Sequence, residues 1–268
     1  MITSSQTSRV DHELQISNSS QCAIDLQQVS FSYSEQRSIL ANISLRIKAG
    51  ERVGFIGHNG CGKTTLFRLV CGLLPAHQGT IHVFGKQVQP GTFHSEVGLL
   101  FQDPEDQLFS PSVWDDIAFG PFNLGLSEEE VKRRVTMALD LTGTHALANR
   151  PPHHLSGGEK QMVAIAGLLA MKPKIVLYDE PTASLDLRTR RRLIHFLQGS
   201  RETLVIASHD LEFLLEVCDR VILVDDGVVV ADGEIRQVMR NQSLMEAHGL
   251  EKPHSLIPHP HPCDAPLS

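Results

Sequence analysis

Residues 57–65 read GHNGCGKTT, a GxxxxGKT run with an apolar segment before it (Val53, Phe55, Ile56) and helix-forming sequence after it, over residues 66–74. A strand that passes into a helix through glycines is the context a phosphate-binding loop requires. Gly57, Gly60 and Gly62 let the backbone curl so that several N–H groups point inward, and the helix N-terminus behind them favours an anion. Lys63 then reaches the β- and γ-phosphates of a nucleoside triphosphate, and the Thr64 hydroxyl is the expected Mg²⁺ ligand. His58, Asn59, Cys61 and Thr65 complete the nucleotide-binding stretch. Cys61 stands at the helix N-terminus, where a thiolate is favoured, so alkylation is expected to block nucleotide binding unless ATP is bound first.

The chain of 268 residues is 41% hydrophobic, enough for one large domain or a core with a subdomain. Lys and Arg total 24 against 31 Asp and Glu, a net charge of −7 that gives no electrostatic reason to expect nucleic acid as a partner. The five cysteines (22, 61, 71, 218, 263) form no CxxC and suit a reducing cytosol rather than a disulfide framework. No window approaches ~18 consecutive apolar residues, so any membrane association is expected through a partner protein. Residues 1–22, rich in Ser, Thr and Gln, read as a disordered extension.

Upstream of the loop, Ile24 and Leu26, then Val29, Phe31 and Tyr33, alternate, as do Ile43, Leu45 and Ile47. Both stretches predict strands of an antiparallel sheet. Tyr33 is placed either to stack on a nucleotide base or simply to pack. Downstream, residues 80–84 and 97–101 read as strands, the second ending at Gln102. From Asp103 to Leu155 strands fade, Pro104, Pro111 and Pro121 punctuate the chain, and Ser127 with Glu130 opens an amphipathic helix through about Leu141. This is a helical insertion in an otherwise alternating α/β chain.

Ser156, Gly157, Gly158 and Glu159 form a second capping box ahead of a helical run that Pro173 stops. Two consecutive glycines there favour close backbone approach to something anionic. An apolar strand at 175–178 delivers Asp179 and Glu180 at its C-terminal end, where α/β folds place ligands. Asp179 suits the Mg²⁺ shell, and Glu180 is placed to polarise an attacking water. A further buried-type strand, 204–207, ends in Ser208, His209 and Asp210, making His209 a γ-phosphate sensor. Residues 221–224 and 228–231, joined by Asp225-Asp226-Gly227, read as an edge hairpin. The last segment, 248–268, carries His254, His259, His261 and Cys263 among prolines; it reads as extended and flexible, with a set of side chains able to chelate Ni²⁺, Co²⁺ or Zn²⁺.

These motifs together resemble the nucleotide-binding subunits of ATP-binding cassette (ABC) transporters over residues 24 to about 240. The phosphate loop, a glutamine loop at Gln102, the LSGGEKQ signature at 155–161, the acids Asp179 and Glu180, Ala183-Ser184-Leu185-Asp186 and switch His209 occur in order. LSGGE is the specific part, since phosphate loops occur in many NTPases. The resemblance implies a P-loop NTPase cassette of α/β class over residues 23–247, with a RecA-like core, an antiparallel β subdomain and a helical subdomain at about 103–170. Residues 101–131 and 150–161 are similar to the energy-coupling-factor (ECF) importers, particularly the cobalt/nickel type. His58, Cys61, Met162 and Leu187 stand where that family usually has Pro, often Ser, Arg and Pro, and none removes a catalytic group.

The resemblance further implies two ATPase subunits, identical or related, meeting head to tail. Each ATP would lie between one phosphate loop and the other subunit's Ser156 to Glu159. Lys63, Thr64, Gln102 and Asp179 would hold Mg-ATP, with Thr64, Gln102 and Asp179 around the metal; Glu180 would activate water and His209 contact the γ-phosphate. The helical insertion would face a transmembrane T-component joined to a substrate-binding S-component, placing the chain peripherally on the cytoplasmic face of the cell membrane. A soluble ABC ATPase for an assembly task, such as Fe–S cluster biogenesis, is the alternative.

Overall fold

The computed structural model describes residues 21–33 and 38–257. Its spine is a six-stranded sheet of order β10-β9-β3-β8-β7-β6, comprising β3 (Arg52–Ile56), β6 (Val97–Leu100), β7 (Ile175–Asp179), β8 (Thr203–Ala207), β9 (Arg220–Asp225) and β10 (Val228–Glu234). Five strands are parallel and only the edge strand β10 is antiparallel, paired with β9 through the turn at Asp226 and Gly227. The near-continuous apolar runs of β7 and β8 follow from burial on both faces of a parallel sheet.

Against it lies an antiparallel sheet of order β2-β1-β4-β5, with β1 (Cys22–Phe31), β2 (Leu40–Lys48), β4 (Gln78–Val83) and β5 (Lys86–Gln87). The alternation in β1 changes phase midway: Ile24 and Leu26 are buried, then Val29 and Phe31. Gln28 adopts φ 52° and the pairing with β2 shifts register between Leu26 and Val29, so the extra residue of a bulge returns the later side chains to the core. These side chains pack with Leu66, Phe67, Leu69 and Val70 of α1 (Lys63–Val70), between the two sheets.

The helical insertion is α2 (Val113–Asn123) and α3 (Glu128–Thr142), joined by α4 (Gly157–Ala170). Beyond Gln161 the sequence of α4 is apolar all round, and the helix is buried on two sides. Met162, Ile165 and Leu168 face the main sheet, while Val163, Ala166 and Ala170 face Val113, Ile117, Val135 and Leu139. Helix α2 falls in the proline-punctuated stretch read as a helical insertion. Ser112 caps it, accepting from Asp115 N–H, and Pro121 is accommodated within its final turn. Glu130 differs in another way: Ser127 caps α3 as expected, but the Glu130 carboxylate goes to Arg133 and Arg134, 2.7 Å from each, instead of back to the cap.

Helices α5 (Leu187–Gly199), α6 (Leu211–Val217), α7 (Ile235–Arg240) and α8 (Gln242–Ala247) cover the remaining face. The segment after α8 corrects one expectation. Residues 248–257 pack instead of extending: Leu256 is buried with Met239 and Met245, and Ser255 N–H donates to Glu212. His259, His261 and Cys263 lie outside the described residues, as do residues 1–20 of the N-terminal extension. Among the described residues no helix is long and apolar enough to cross a membrane.

Candidate functional site

The loop between β3 and α1 is fixed by close packing. Gly57 has φ 148°, and a Cβ there would come within 2.0 Å of the Val224 carbonyl oxygen at the end of β9, so only glycine fits. Lys63, the first residue of α1, is buried and folds back over the loop, its Nζ donating to the carbonyls of Gly57 (2.7 Å) and His58 (3.1 Å). Neighbouring Thr64 is hydrogen-bonded through its side chain to Asp179.

The parallel register of β7 and β8 sets the other half. Asp179 lies opposite Ala207, so the residues that follow each strand, Glu180 on one and Ser208 and His209 on the other, emerge together. Glu180 turns the chain at φ 49°, in the left-handed region that a non-glycine residue rarely occupies. Its Oε2 accepts from Ser208 Oγ (3.3 Å) and His209 N–H (3.2 Å). Its Oε1 is buried without a hydrogen-bond partner, 3.3 Å from His209 Nε2 but outside good bonding geometry. Burial holds the carboxyls of both Asp179 and Glu180 above their ordinary range; the Thr64 hydrogen bond and Lys63 charge oppose it at Asp179, and the His209 N–H and imidazole oppose it at Glu180. Arg190 steadies the segment from α5 by a two-point contact with Asp210, at 2.7 and 3.1 Å.

Tyr33, Asn59, Gly60, Gly62, Lys63, Thr64, Thr65, Gln102, Asp179, Glu180 and His209 line one cleft of about 280 Å³. Tyr33 stands exposed at its rim, edge-on to Phe31, with its hydroxyl 3.4 Å from Thr65 Oγ1. A larger depression of about 710 Å³ lies along α3 alone and brings together no such groups. Ile39 also lines the cleft and Ser208 is buried beneath it, two residues the sequence reading did not single out. Ser208 had a signal, its place between a buried strand and His209; Ile39, one residue before β2, had none.

The family model for ABC transporters matches residues 40–183, from the start of β2 through the loop that follows Glu180. The chain belongs to the ABC transporter ATP-binding family. It is 61% identical over 234 residues to a Synechocystis sp. protein named as an ABC transporter ATP-binding protein, covering 87% of this chain and 82% of that one. It is 43% identical to the energy-coupling factor transporter ATP-binding protein EcfA of Methanothermobacter thermautotrophicus, over 86% of this chain and 76% of the relative. Its structure superposes with a TM-score of 0.75 and 34% identity on cbiO1 of Clostridium perfringens, described as part of the ABC transporter complex cbiONQ, over 85% of this chain and 94% of that one. The chain is thus an ABC ATPase, with the cassette's mixed α/β fold.

Within this ABC cassette the signature stands apart from the cleft. Ser156 and Glu159 close a full capping box: the Glu159 carboxylate accepts from Ser156 N–H and Oγ–H, 2.8 Å each, and Ser156 Oγ accepts from Glu159 N–H. Ser156 and Gly157 are exposed, Gly157 beside Ser184, and none of Ser156, Gly157, Gly158 or Glu159 lines the cleft. The side chains of two phosphate-loop residues do not line the cleft. Cys61 is 1% exposed, its sulfur pressed against Gly57 and 3.6 Å from Lys63 Nζ, so it is inaccessible to an alkylating reagent despite its place beside a helix N-terminus. The His58 side chain turns away from the cleft toward Asp225.

The residues present fit a magnesium nucleotide: loop glycines and a lysine line the cleft, and a buried aspartate hydrogen-bonded to the Thr64 side chain supplies hard oxygens. The buried carboxylate of Glu180 carries a cost to the fold. Above the ordinary glutamate range the unfolded chain loses this proton more readily than the folded one, so stability falls as pH rises from the unfolded pKa to the raised folded one. Replacing Glu180 by Gln should therefore raise the melting midpoint at pH 8. The difference should shrink toward pH 4; differential scanning fluorimetry across that range checks it, and an unchanged or lower midpoint at pH 8 contradicts it.

Proposed function

We propose that this chain is the ATP-hydrolysing subunit of an ECF-type importer, attached to the cytoplasmic face of the cell membrane through a transmembrane partner. The observation that carries the reading is an aromatic patch on the helical insertion. Phe109 is 67% exposed and edge-on to Phe119, 4.9 Å between ring centres, and Phe122 is exposed one turn further along α2. Exposed aromatics grouped on and just before one helix mark a docking surface. The resemblance of residues 101–131 to ECF importers and the ECF name of the 43% identical relative support a T-component as occupant.

In this reading Lys63, Thr64, Gln102 and Asp179 bind and orient Mg-ATP, with Tyr33 against the base. The magnesium ion supplies neutralisation of phosphate charge. Glu180 Oε1 takes a proton from the attacking water, and His209, held beside it, contacts the γ-phosphate side of the cleft. Ser156 to Glu159 of a second cassette, a copy or a related subunit, closes the site, because an exposed helix N-terminus donates hydrogen bonds that the single-chain cleft lacks. The resemblance of residues 101–131 and 150–161 to the cobalt/nickel type of ECF importer supports Co²⁺ or Ni²⁺ as the transported ion.

Two experiments test this. Phe109→Glu with Phe119→Glu should leave ATP binding intact and release the chain from the membrane fraction; a variant that stays with membranes overturns the docking surface. Uptake of labelled Co²⁺ or Ni²⁺ should be lost when Glu180→Gln replaces the native chain in cells, and unchanged uptake of both ions overturns the proposed substrate.

A further inference from the structure

Beside the phosphate loop and outside the lining of the cleft, three metal-ligating side chains converge. His58 Nε2 lies 2.8 Å from Asp225 Oδ1 and 4.0 Å from Asp226 Oδ1, and the set falls within 4.8 Å of one another. The second nitrogen of His58 decides what the first can do. Nδ1 is 2.7 Å from the Asn59 carbonyl oxygen, which only accepts, so Nδ1 carries the proton. In the neutral imidazole Nε2 is then a lone pair directed at a carboxylate. That contact is favourable only with a positive charge between or upon the two groups.

We propose that His58, Asp225 and Asp226 form a binding site for a divalent first-row transition ion of the Zn²⁺, Co²⁺ and Ni²⁺ class. Ligating histidines donate their other N–H to a carbonyl or carboxylate, as His58 does to Asn59. Ligating carboxylates are themselves hydrogen-bonded, and the free oxygen of Asp225 accepts from His248 Nδ1 at 2.6 Å, from the residue that ends α8. Bonds of 2.0–2.1 Å hold neighbouring donor atoms about 2.9–3.4 Å apart, close to the His58–Asp225 spacing, and Asp226, exposed in the β9–β10 turn, is free to close the rest. An imidazole with two carboxylates selects a transition ion over Mg²⁺ or Ca²⁺, which take oxygen ligands. The site is independent of the importer reading. Its location matters to the cassette, because the His58 carbonyl is one of the two that hold Lys63.

The test is a nucleotide-free Co²⁺ titration of the full chain carrying His254→Ala, His259→Ala, His261→Ala and Cys263→Ala, so that the C-terminal segment offers no ligand. One equivalent of Co²⁺ should bind with a visible d–d absorption band, and millimolar Mg²⁺ should leave the band in place. Asp225→Asn and, separately, Asp226→Asn should weaken binding by more than about tenfold, and His248→Gln by about 10–100-fold through the lost orientation of Asp225. Melting curves establish that each variant is folded, and Asp226→Asn lies on an exposed turn where folding is least at risk. No stoichiometric binding, displacement by Mg²⁺, or an affinity unmoved by Asp225→Asn and Asp226→Asn in folded protein overturns the site and leaves a His–Asp ion pair.

Discussion

The Glu180→Gln variant is expected to bind ATP as the native chain does and to hydrolyse it about 10²–10⁴-fold more slowly, the range that loss of a general base gives. The geometry separates the two effects. Oε2 of Glu180 is engaged by Ser208 Oγ and His209 N–H, contacts that hold the side chain in place, whereas Oε1 is the buried oxygen left without a partner. A glutamine keeps the size and the accepting oxygen toward Ser208 but removes the basic one. Glu180 is not among the groups proposed to hold the nucleotide, which are Lys63, Thr64, Gln102 and Asp179. Steady-state phosphate release with a parallel fluorescent-nucleotide titration reads both quantities. Hydrolysis within threefold of native would remove Glu180 from the chemistry.

Gly158→Asp is expected to leave nucleotide affinity of the single chain unchanged and to lower hydrolysis by at least about a hundredfold, the scale seen when a preorganised donor at a reacting centre is lost. A Cβ at Gly158 meets the Ser184 carbonyl oxygen at 3.6 Å and Leu185 at 3.8 Å, ordinary contacts, so the helix accommodates it. The added carboxylate brings negative charge to a helix N-terminus that lies outside the chain's own cleft and, in the proposed arrangement, against the phosphates of a partner's nucleotide. Native hydrolysis by this variant would mean that the signature takes no part.

The difference between the two halves of the site explains how legible it was. A phosphate loop is written in consecutive residues, and the acids and His209 each follow an apolar strand, so their identities could be read one motif at a time. Their meeting depends on β3, β7 and β8 being adjacent in the sheet, which ABC resemblance implied and local pattern did not. The bulge at Gln28 was visible as a change of phase in the alternation of β1. Helix α2 lay within the stretch read as a helical insertion; its bounds were obscured by Pro121, although Ser112 followed by Asp115 was a usable start signal. Side-chain direction was the least legible quantity. Cys61 and His58 both belong to the loop, yet one is buried under Gly57 and the other turned to Asp225 at the end of β9, and no local pattern distinguishes the two. Likewise Pro253 and Leu256, written among polar and proline residues, gave no periodic sign of the buried positions they take.

The central claim is that one cassette holds two half-sites that belong to different catalytic centres. Mixing Lys63→Ala chains with Gly158→Asp chains tests it most directly. Each variant alone is expected to hydrolyse little ATP, the first for want of the phosphate-binding lysine and the second for want of a usable signature. A head-to-tail pair of the two joins an intact phosphate loop from the Gly158→Asp chain to an intact signature from the Lys63→Ala chain. The mixture is therefore predicted to recover ATP hydrolysis, whereas a mixture as inactive as its components would contradict a site shared between two cassettes.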